Sequence, residues 1–204
     1  MSLLIATLRR VIGDLNEIGR GWALAGGLAV SARAEPRTTR DIDVVLVVED
    51  DADAEAVVFA FQQLGYVLES ALEHTVTRRL ATARLRPPER GVLVDLMFAS
   101  SGIEDEIVHE ATRLEILRGM HIPVATTAHL IAMKVLARDD RDRPQDWDDL
   151  RALLREATAE DIQHARGALA LIERRGFHRA RDLQSSLDRV LEEVTAADRS
   201  LRPR

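Results

Sequence analysis

Two aspartates separated by a single residue form the pattern with the clearest chemical meaning in this chain of 204 residues. Asp41 and Asp43 alternate with Ile42 and Val44 at the start of an apolar run that continues to residue 48. Alternate side chains of a β-strand point to the same face, so the two carboxylates project together. Two residue rises of about 3.3 Å place their backbones roughly 6.6 Å apart. Carboxylates at this spacing can converge on a two-metal site, whose ions lie about 3.5–4 Å apart.

A third acid, Asp95, interrupts an apolar segment at residues 91–98 that the pattern predicts to be another strand. If the two strands are neighbours, their spacing of about 4.8 Å brings Asp95 within reach of the same ions. Like charges that share one face raise one another's pKa and oppose folding. Three such acids on two apolar strands therefore indicate a site that binds metal ions.

A glycine pair precedes these acids. An apolar run at residues 22–25 ends at Gly26 and Gly27, and a segment of small residues with helical character follows. Backbone N–H groups at the start of such a helix can hold phosphate oxygens, helped by the helix dipole. An ordinary strand-to-helix turn would also explain the glycines. Together with the acids, the pair predicts a site for a metal–nucleotide complex.

Lys134 is the only lysine among 28 basic residues. Lysine carries a compact ammonium on a flexible stem, whereas arginine carries a wide planar fork. We predict that Lys134 lies on the exposed side of a helix from residue 126 or 127 to about residue 138 and neutralises a triphosphate. Arg40, which directly precedes Asp41, is predicted to steady that acid, to reach a phosphate, or to lie in a surface loop.

The order of these motifs resembles the DNA polymerase β-type nucleotidyltransferase superfamily: a glycine pair, then D-h-D, then h-D-h on a later strand, where h is apolar. Residues 128–134 and 141–146, followed by Asp149 and Leu150, are similar to the AbiEii/MenT-type nucleotidyltransferases. That group includes toxins of bacterial toxin–antitoxin and phage-defence systems. The similarity covers roughly residues 22–154.

The resemblance implies transfer of a nucleoside monophosphate from an NTP to an acceptor hydroxyl, with Mg²⁺ or Mn²⁺ as cofactor. It assigns the metal ligands as Asp41, Asp43 and Asp95, and the phosphate-binding residues as Gly26, Gly27 and Lys134. Asp95 would also help to activate the acceptor hydroxyl, directly or through a metal. Arg141 and Asp146 would shape the nucleotide pocket. Asp146 also lies in the first turn of a predicted helix, where acids are favoured in any case.

The predicted fold class is α/β (α+β), a nucleotidyltransferase fold with a small mixed β-sheet and flanking helices. Residues 1–125 are predicted to form the catalytic domain and residues 126–204 a C-terminal helical subdomain. Predicted helices cover residues 2–18, 28–34, 54–64, 103–109, 126/127–138, 146–156, 159–174 and 179–194. Predicted strands cover residues 22–25, 41–48, 66–68, 75–85, 91–98, 114–117 and 121–124.

Composition excludes some classes of protein. The absence of cysteine excludes disulfides and zinc sites built from thiolates. No run approaches the roughly 20 apolar residues of a membrane span, and the amphipathic N-terminal stretch does not resemble a secretory signal, so we predict a cytoplasmic protein without a membrane partner. The net charge of −6 does not by itself indicate nucleic-acid binding. Five arginines nevertheless cluster before the third acid, and they predict either a nucleic-acid surface or an ordinary solvated one: Arg78, Arg79, Arg84, Arg86 and Arg90.

Three functions fit these residues. The AbiEii/MenT resemblance implies a toxin that modifies a tRNA 3′ end and has an antitoxin protein as partner. A small-molecule nucleotidyltransferase of the aminoglycoside-resistance kind shares the glycine pair and the D-h-D motif. The third function is a non-catalytic nucleotide- or partner-binding protein with the same fold. The presence of all three acids and the lysine argues against this last alternative.

Overall fold

Seven strands form one mixed sheet in the computed structural model, which describes residues 2–138 and 144–200. The strands are β1 (Trp22–Ala25), β2 (Asp41–Leu46), β3 (Val67–Glu73), β4 (Leu80–Arg86), β5 (Leu93–Met97), β6 (Thr112–Leu117) and β7 (Met120–Val124). Their order across the sheet is β3-β4-β5-β2-β1-β7-β6. The pairs β2–β5 and β1–β7 are parallel, and the other neighbours are antiparallel.

Eight helices occur in the described residues. They are α1 (Leu3–Ile18), α2 (Gly26–Arg33), α3 (Asp51–Gln63), α4 (Glu104–His109), α5 (Thr127–Ala137), α6 (Pro144–Glu156), α7 (Ala159–Arg174) and α8 (Leu183–Ser200). Helices α1, α3 and α4 contact the sheet, whereas α5 and α6 pack against each other and against α2. The predicted mixed α/β fold, a mixed sheet with flanking helices, is confirmed.

The N-terminal helix α1 begins and ends where its sequence predicts. The Ser2 side chain caps its first turn, and Gly19 ends the helix in the left-handed region at φ 75°, a conformation that glycine adopts without strain. Its buried residues Leu8, Val11 and Leu15 recur at helical spacing and form the apolar stripe. Burial of each such side chain contributes about 1.5–3 kcal/mol. The helix therefore serves as scaffold, as predicted.

One face of the sheet is buried and the other is partly open near β4. Ala81, Ala83 and Leu85 of β4 are buried, whereas the alternating residues Thr82 and Arg84 are only half-buried. This period of two is typical of a strand with one face toward the core. The more open face is the one that carries the candidate site.

The predicted strands at residues 66–68 and 75–85 are wrong in their limits. The first strand extends to Glu73, and the second begins only at Leu80. The intervening residues form a tight turn in which the His74 N–H donates to Arg79 O over 2.8 Å. This turn replaces residues 75–79 of the predicted second strand, although these residues show an alternating pattern.

The last helix begins later than the predicted residue 179. Arg179 and Ala180 have φ values of 52° and 55°, which are incompatible with a right-handed helix. Asp182 then accepts a hydrogen bond from the Ser185 N–H over 2.9 Å, in the manner of an N-cap. The helix therefore starts at Leu183, and it continues to Ser200, beyond the predicted end at residue 194.

The other predicted elements are confirmed with small shifts at their ends, and α7 has the predicted limits. All seven strands described precede residue 125, and α5–α8 follow it. Division of the chain into two domains at this point stays a prediction. Among the described residues, no helix has both the length and the apolar character needed to cross a bilayer.

Candidate active site

Three of the predicted site residues lie on two adjacent central strands. Asp43 of β2 is directly opposite Asp95 of β5 in a parallel pair, as predicted for neighbouring strands. Arg84 of β4 is directly opposite Asp95 on its other side. Side chains in register on neighbouring strands share one face of the sheet. The sheet therefore presents a row of two acids and one arginine, with Asp41 two residues along β2.

The three acids converge. One carboxylate oxygen from each of Asp41, Asp43 and Asp95 lies within 4.8 Å of the other two. The Thr39 hydroxyl also donates a hydrogen bond to Asp41 Oδ1 over 3.1 Å, which orients that carboxylate. Carboxylate oxygens are the ligands that Mg²⁺ and Mn²⁺ prefer. This set of donors fits such an ion.

Asp43 lies in an environment that shifts its pKa strongly. Burial raises the pKa of Asp43 to about 7, and repulsion from Asp41 and Asp95 adds to the shift. The Lys134 charge and a hydrogen bond from the Gly27 backbone N–H oppose it. Part of the residue's surface stays accessible, but Gly26 lies directly against its carboxyl group. A bound cation would relieve this repulsion, because it stabilises the ionised form.

Arg84 holds Asp95 with both ends of its guanidinium fork. Its Nε donates to Oδ1 over 2.7 Å, and its Nη2 donates to Oδ2 over 2.6 Å. These bonds raise the pKa of Arg84 above its ordinary value. A carboxylate has about four lone-pair sites, so Asp95 keeps two for another ligand. The sequence pattern placed Arg84 only in an arginine cluster, because the register between strands cannot be predicted from one amino-acid sequence.

Both glycines of the pair are required by close approach of side chains. Gly26 has φ 57°, and a Cβ there would overlap the carboxyl group of Asp43. A Cβ at Gly27 would lie 2.5 Å from Arg37 Nη2. Real Cβ atoms do not approach other atoms this closely, so larger residues would displace Asp43 and Arg37. Whether the two glycines also hold phosphates stays a prediction.

Gly26→Ala is expected to lower transfer activity strongly and to destabilise the protein. The added methyl group would push the Asp43 carboxylate out of the cluster, and a left-handed φ disfavours alanine. The matched control is Gly167→Ala in α7, where the new Cβ meets no atom within 4 Å and alanine should stabilise the helix by up to about 1 kcal/mol. Thermal melts and transfer assays of both variants would test this. Normal activity in Gly26→Ala would contradict the close packing of Gly26 against Asp43.

Lys134 does not lie on an exposed helix face, so that prediction is wrong. Its side chain is 15% exposed, and its Nζ lies 2.7 Å from Asp146 Oδ1 and 2.6 Å from Asp149 Oδ2. The two acids are three residues apart on α6, so they lie on the same side of that helix and face α5. Burial alone would lower the pKa of Lys134, but its hydrogen bonds to Asp146 and Asp149 leave it above the ordinary value.

Arg37, rather than Arg40, makes the buried ion pair in the loop before β2. Arg37 Nη2 donates to Asp149 Oδ2 over 2.9 Å, and its Nε lies 2.5 Å from Oδ1 in an ion-pair contact without hydrogen-bond alignment. Arg40 is exposed, and the contacts of the described residues do not include the predicted one to Asp41. Arg141 lies outside the described residues. Sequence reasoning missed Arg37 and the full role of Asp149.

The fold is shared with solved nucleotidyltransferases. The solution structure of the antibiotic-resistance factor ANT(2″)-Ia is 20% identical, covers 86% of this chain and 97% of its own, and has a TM-score of 0.56. Its crystal structure in complex with adenylyl-2″-tobramycin is 16% identical, covers 81% and 96%, and has a TM-score of 0.54. A nucleotidyltransferase-like protein from Paracoccidioides brasiliensis is 20% identical, covers 90% and 91%, and has a TM-score of 0.48.

Residues 12–202 match the family described as nucleotidyl transferase AbiEii toxin of a type IV toxin–antitoxin system. The chain belongs to this family, which confirms the resemblance seen in its motifs, and it is a nucleotidyltransferase. Comparison with curated protein sequences finds no match.

Proposed function

We propose that this enzyme transfers a nucleoside monophosphate from an NTP to the hydroxyl at an RNA 3′ end, such as that of tRNA. The observation that carries the proposal is the convergence of three carboxylates beside the start of α2, with their oxygens within 4.8 Å of one another. The electrostatic influence of Lys134 on Asp43 adds a cation to the same site. Such an arrangement suits phosphoryl-group transfer, which depends mainly on positioning and electrostatics.

The proposed roles follow from these positions. Asp41, Asp43 and Asp95 would hold divalent ions, which neutralise phosphate charge and make a bound hydroxyl more acidic. Lys134 would contact the triphosphate with an N–H that its acid partners do not use. The acceptor oxygen bonds to the α-phosphorus, the bond from that phosphorus to the β-phosphate oxygen breaks, and pyrophosphate leaves. The acceptor proton passes to Asp95 or to water.

Two arginines on an open surface beside the acids support an RNA acceptor. Arg84 is in register with Ser70 of β3, and Arg86 is in register with Val67, so all four side chains share the face that carries Asp95. The strand β3 is exposed along its whole length. An open surface with two guanidinium groups and a hydroxyl therefore begins one strand away from the acids.

Both guanidinium groups can still bind phosphate. Arg84 uses Nε and Nη2 for Asp95, and Arg86 uses Nε for Glu69. An arginine has five N–H donors, so each keeps donors for a further anion. Roughly half to two-thirds of protein–DNA hydrogen bonds go to phosphate and sugar groups, and arginine is one of their donors. The donors that these two arginines keep fit the phosphates of an RNA acceptor, and this is why we propose RNA ahead of the small-molecule alternative.

The proposed acceptor can be tested directly. The protein would be incubated with Mg²⁺, each labelled NTP in turn, and either total tRNA or a panel of aminoglycosides. We expect label in tRNA, and none when the 3′-terminal diol has been oxidised with periodate. Label in an antibiotic would favour the small-molecule function. Intact NTP binding without transfer to either would favour the non-catalytic protein.

Two further parts of the proposal follow, one from the family description and one from the proposed substrates. A type IV toxin–antitoxin system implies an antitoxin encoded beside this gene. A cytoplasmic location is proposed because both tRNA and NTPs are found there.

A further inference from the structure

Four charged residues from three separate segments meet next to the acid cluster. Lys134 comes from α5, Asp146 and Asp149 come from α6, and Arg37 comes from the loop between α2 and β2. Asp149 Oδ2 alone contacts both cations, with Lys134 Nζ at 2.6 Å and Arg37 Nη2 at 2.9 Å. We call these four residues the charge clamp. It contains two positive and two negative charges.

The clamp is buried, so its charges depend on one another. The Asp149 side chain has 0% exposure, and those of Lys134 and Asp146 have 15% and 8%. Removal of one partner from a buried ion pair is strongly destabilising, because the remaining charge is left without compensation. Asp149 needs both cations, since Lys134 is shared with Asp146.

Arg37 is held firmly by the segment that leads into the acid cluster. Its Nη1 donates to Thr38 O over 3.0 Å, and its main-chain N–H donates to Ser31 Oγ over 3.2 Å. Its guanidinium also lies against Gly27, whose N–H faces Asp43. Arg37 therefore links α6 to the start of α2, where the proposed nucleotide site begins.

We propose that Arg37 is a positioning residue that fixes Lys134 for the NTP through Asp149 and offsets the second negative charge of α6. This inference rests on the proposed nucleotide site. A lysine has three N–H donors. Asp146 and Asp149 accept two, which leaves the third for a phosphate oxygen. Without Arg37, two carboxylates would face one ammonium, and the net negative charge would repel a triphosphate.

Substitutions of Arg37 should separate this role from a structural one. Arg37→Gln should raise the KM and Kd for the NTP roughly tenfold or more, which is the effect expected of one uncompensated charge near an anion. Arg37→Lys, which keeps the charge but loses the fork, should show a smaller rise. The double variant Arg37→Gln/Asp149→Asn removes one charge of each sign, so it should bind NTP more tightly than Arg37→Gln alone.

The experiment measures Kd and KM for all four NTPs with Mg²⁺, together with kcat and Tm. The matched control is Arg175→Gln, because Arg175 lies outside the clamp and makes a bidentate ion pair with Glu106. Its Nη1 and Nη2 donate to Oε2 and Oε1 over 2.9 and 2.7 Å. The control should leave the KM for NTP unchanged. If Arg37→Gln does not fold well, the NTP affinities of Arg37→Lys and of the double variant are compared with that of the wild type. Unchanged affinity in both variants would then overturn the inference.

Two results would overturn the inference. One is an unchanged Kd and KM in Arg37→Gln, whether or not its Tm falls, in a protein whose wild type binds and transfers nucleotide. The other is a double variant that binds NTP no better than Arg37→Gln. Failure of the wild type to bind any NTP would instead reject the proposed nucleotide site, and the inference with it.

Discussion

Asp43→Asn should abolish nucleotide transfer and yet raise the melting temperature of the metal-free protein. Asparagine has nearly the shape of aspartate, so the strand pairing with Asp95 should persist. The change removes a proposed metal ligand, which accounts for the loss of activity. It also removes a buried charge that Asp41 and Asp95 repel, which accounts for the gain in stability.

The stability effect should depend on pH. The pKa of Asp43 is raised to about 7 in the folded protein, from an ordinary value of 3.8. The folded state therefore binds this proton more tightly than the unfolded chain does, so stability falls as pH rises from about 4 to about 7. Melting curves in EDTA at several pH values should show this decline in the wild type and a smaller one in Asp43→Asn. Each 1 kcal/mol corresponds to roughly 2–4 °C.

Addition of Mg²⁺ and NTP should reverse the order of stability. The ligands bind the folded wild type and stabilise it by about 2.7 kcal/mol at a hundredfold excess over Kd, whereas the variant should gain little. Asp105→Asn, which changes an exposed acid in the first turn of α4, is the control for loss of one negative charge. A variant at Asp43 that melts below the wild type in EDTA and still responds fully to Mg²⁺–NTP would show that the acid is structural.

Lys134→Arg should be nearly as harmful to catalysis as Lys134→Ala. The ammonium lies 2.7 and 2.6 Å from two carboxylates in a largely buried site, and a wide guanidinium fork does not fit there. Loss of one charged hydrogen bond costs about 1.5–3 kcal/mol, so kcat/KM should fall by roughly one to two orders of magnitude. Lys134→Ala should also lower Tm, because breaking a buried ion pair costs about 3–5 kcal/mol.

A reverse exchange at the surface provides the control for this prediction. Arg166 pairs with Asp188 at 2.5 Å, where the acid is 55% exposed, so Arg166→Lys should change neither kcat nor Tm appreciably. The assay would compare kcat, the KM for NTP and Tm across the three variants. Near wild-type turnover and NTP affinity in Lys134→Arg would mean that the compact ammonium is not required.

The acids of the site could be predicted from the sequence because a strand has a simple period. Alternation alone placed Asp41 and Asp43 on one face, and the apolar context of Asp95 placed it on another strand. That the two strands are neighbours was only a condition of the sequence prediction, and the β2–β5 pairing meets it. The glycine pair was also recognised from the sequence. The structural reason for it, which is the close approach of Asp43 and Arg37, was not predicted.

The partners of these residues could not be predicted, because they depend on long-range packing. Arg84 meets Asp95 through the register of β4 and β5, and Arg37 meets Asp149 only when α6 packs against α2. The exposed position predicted for Lys134 failed for the same reason, since α6 covers it. Local turn chemistry explains the incorrect strand limits near residue 79, where the His74 turn overrides an alternating pattern.

The sequence positions of the charge-clamp residues also determine when a newly synthesised chain can assemble its full set of charged groups. Arg37 and Asp149 are 112 positions apart, and ribosomes add about 5–20 residues per second, so about 6–22 s of synthesis separate them. The nascent polypeptide therefore carries all three acids before it carries Lys134 or α6. The full set of charged groups can assemble only after α6 has left the ribosome. For a member of a toxin family, the complete set of charged groups therefore forms no earlier than the end of this interval.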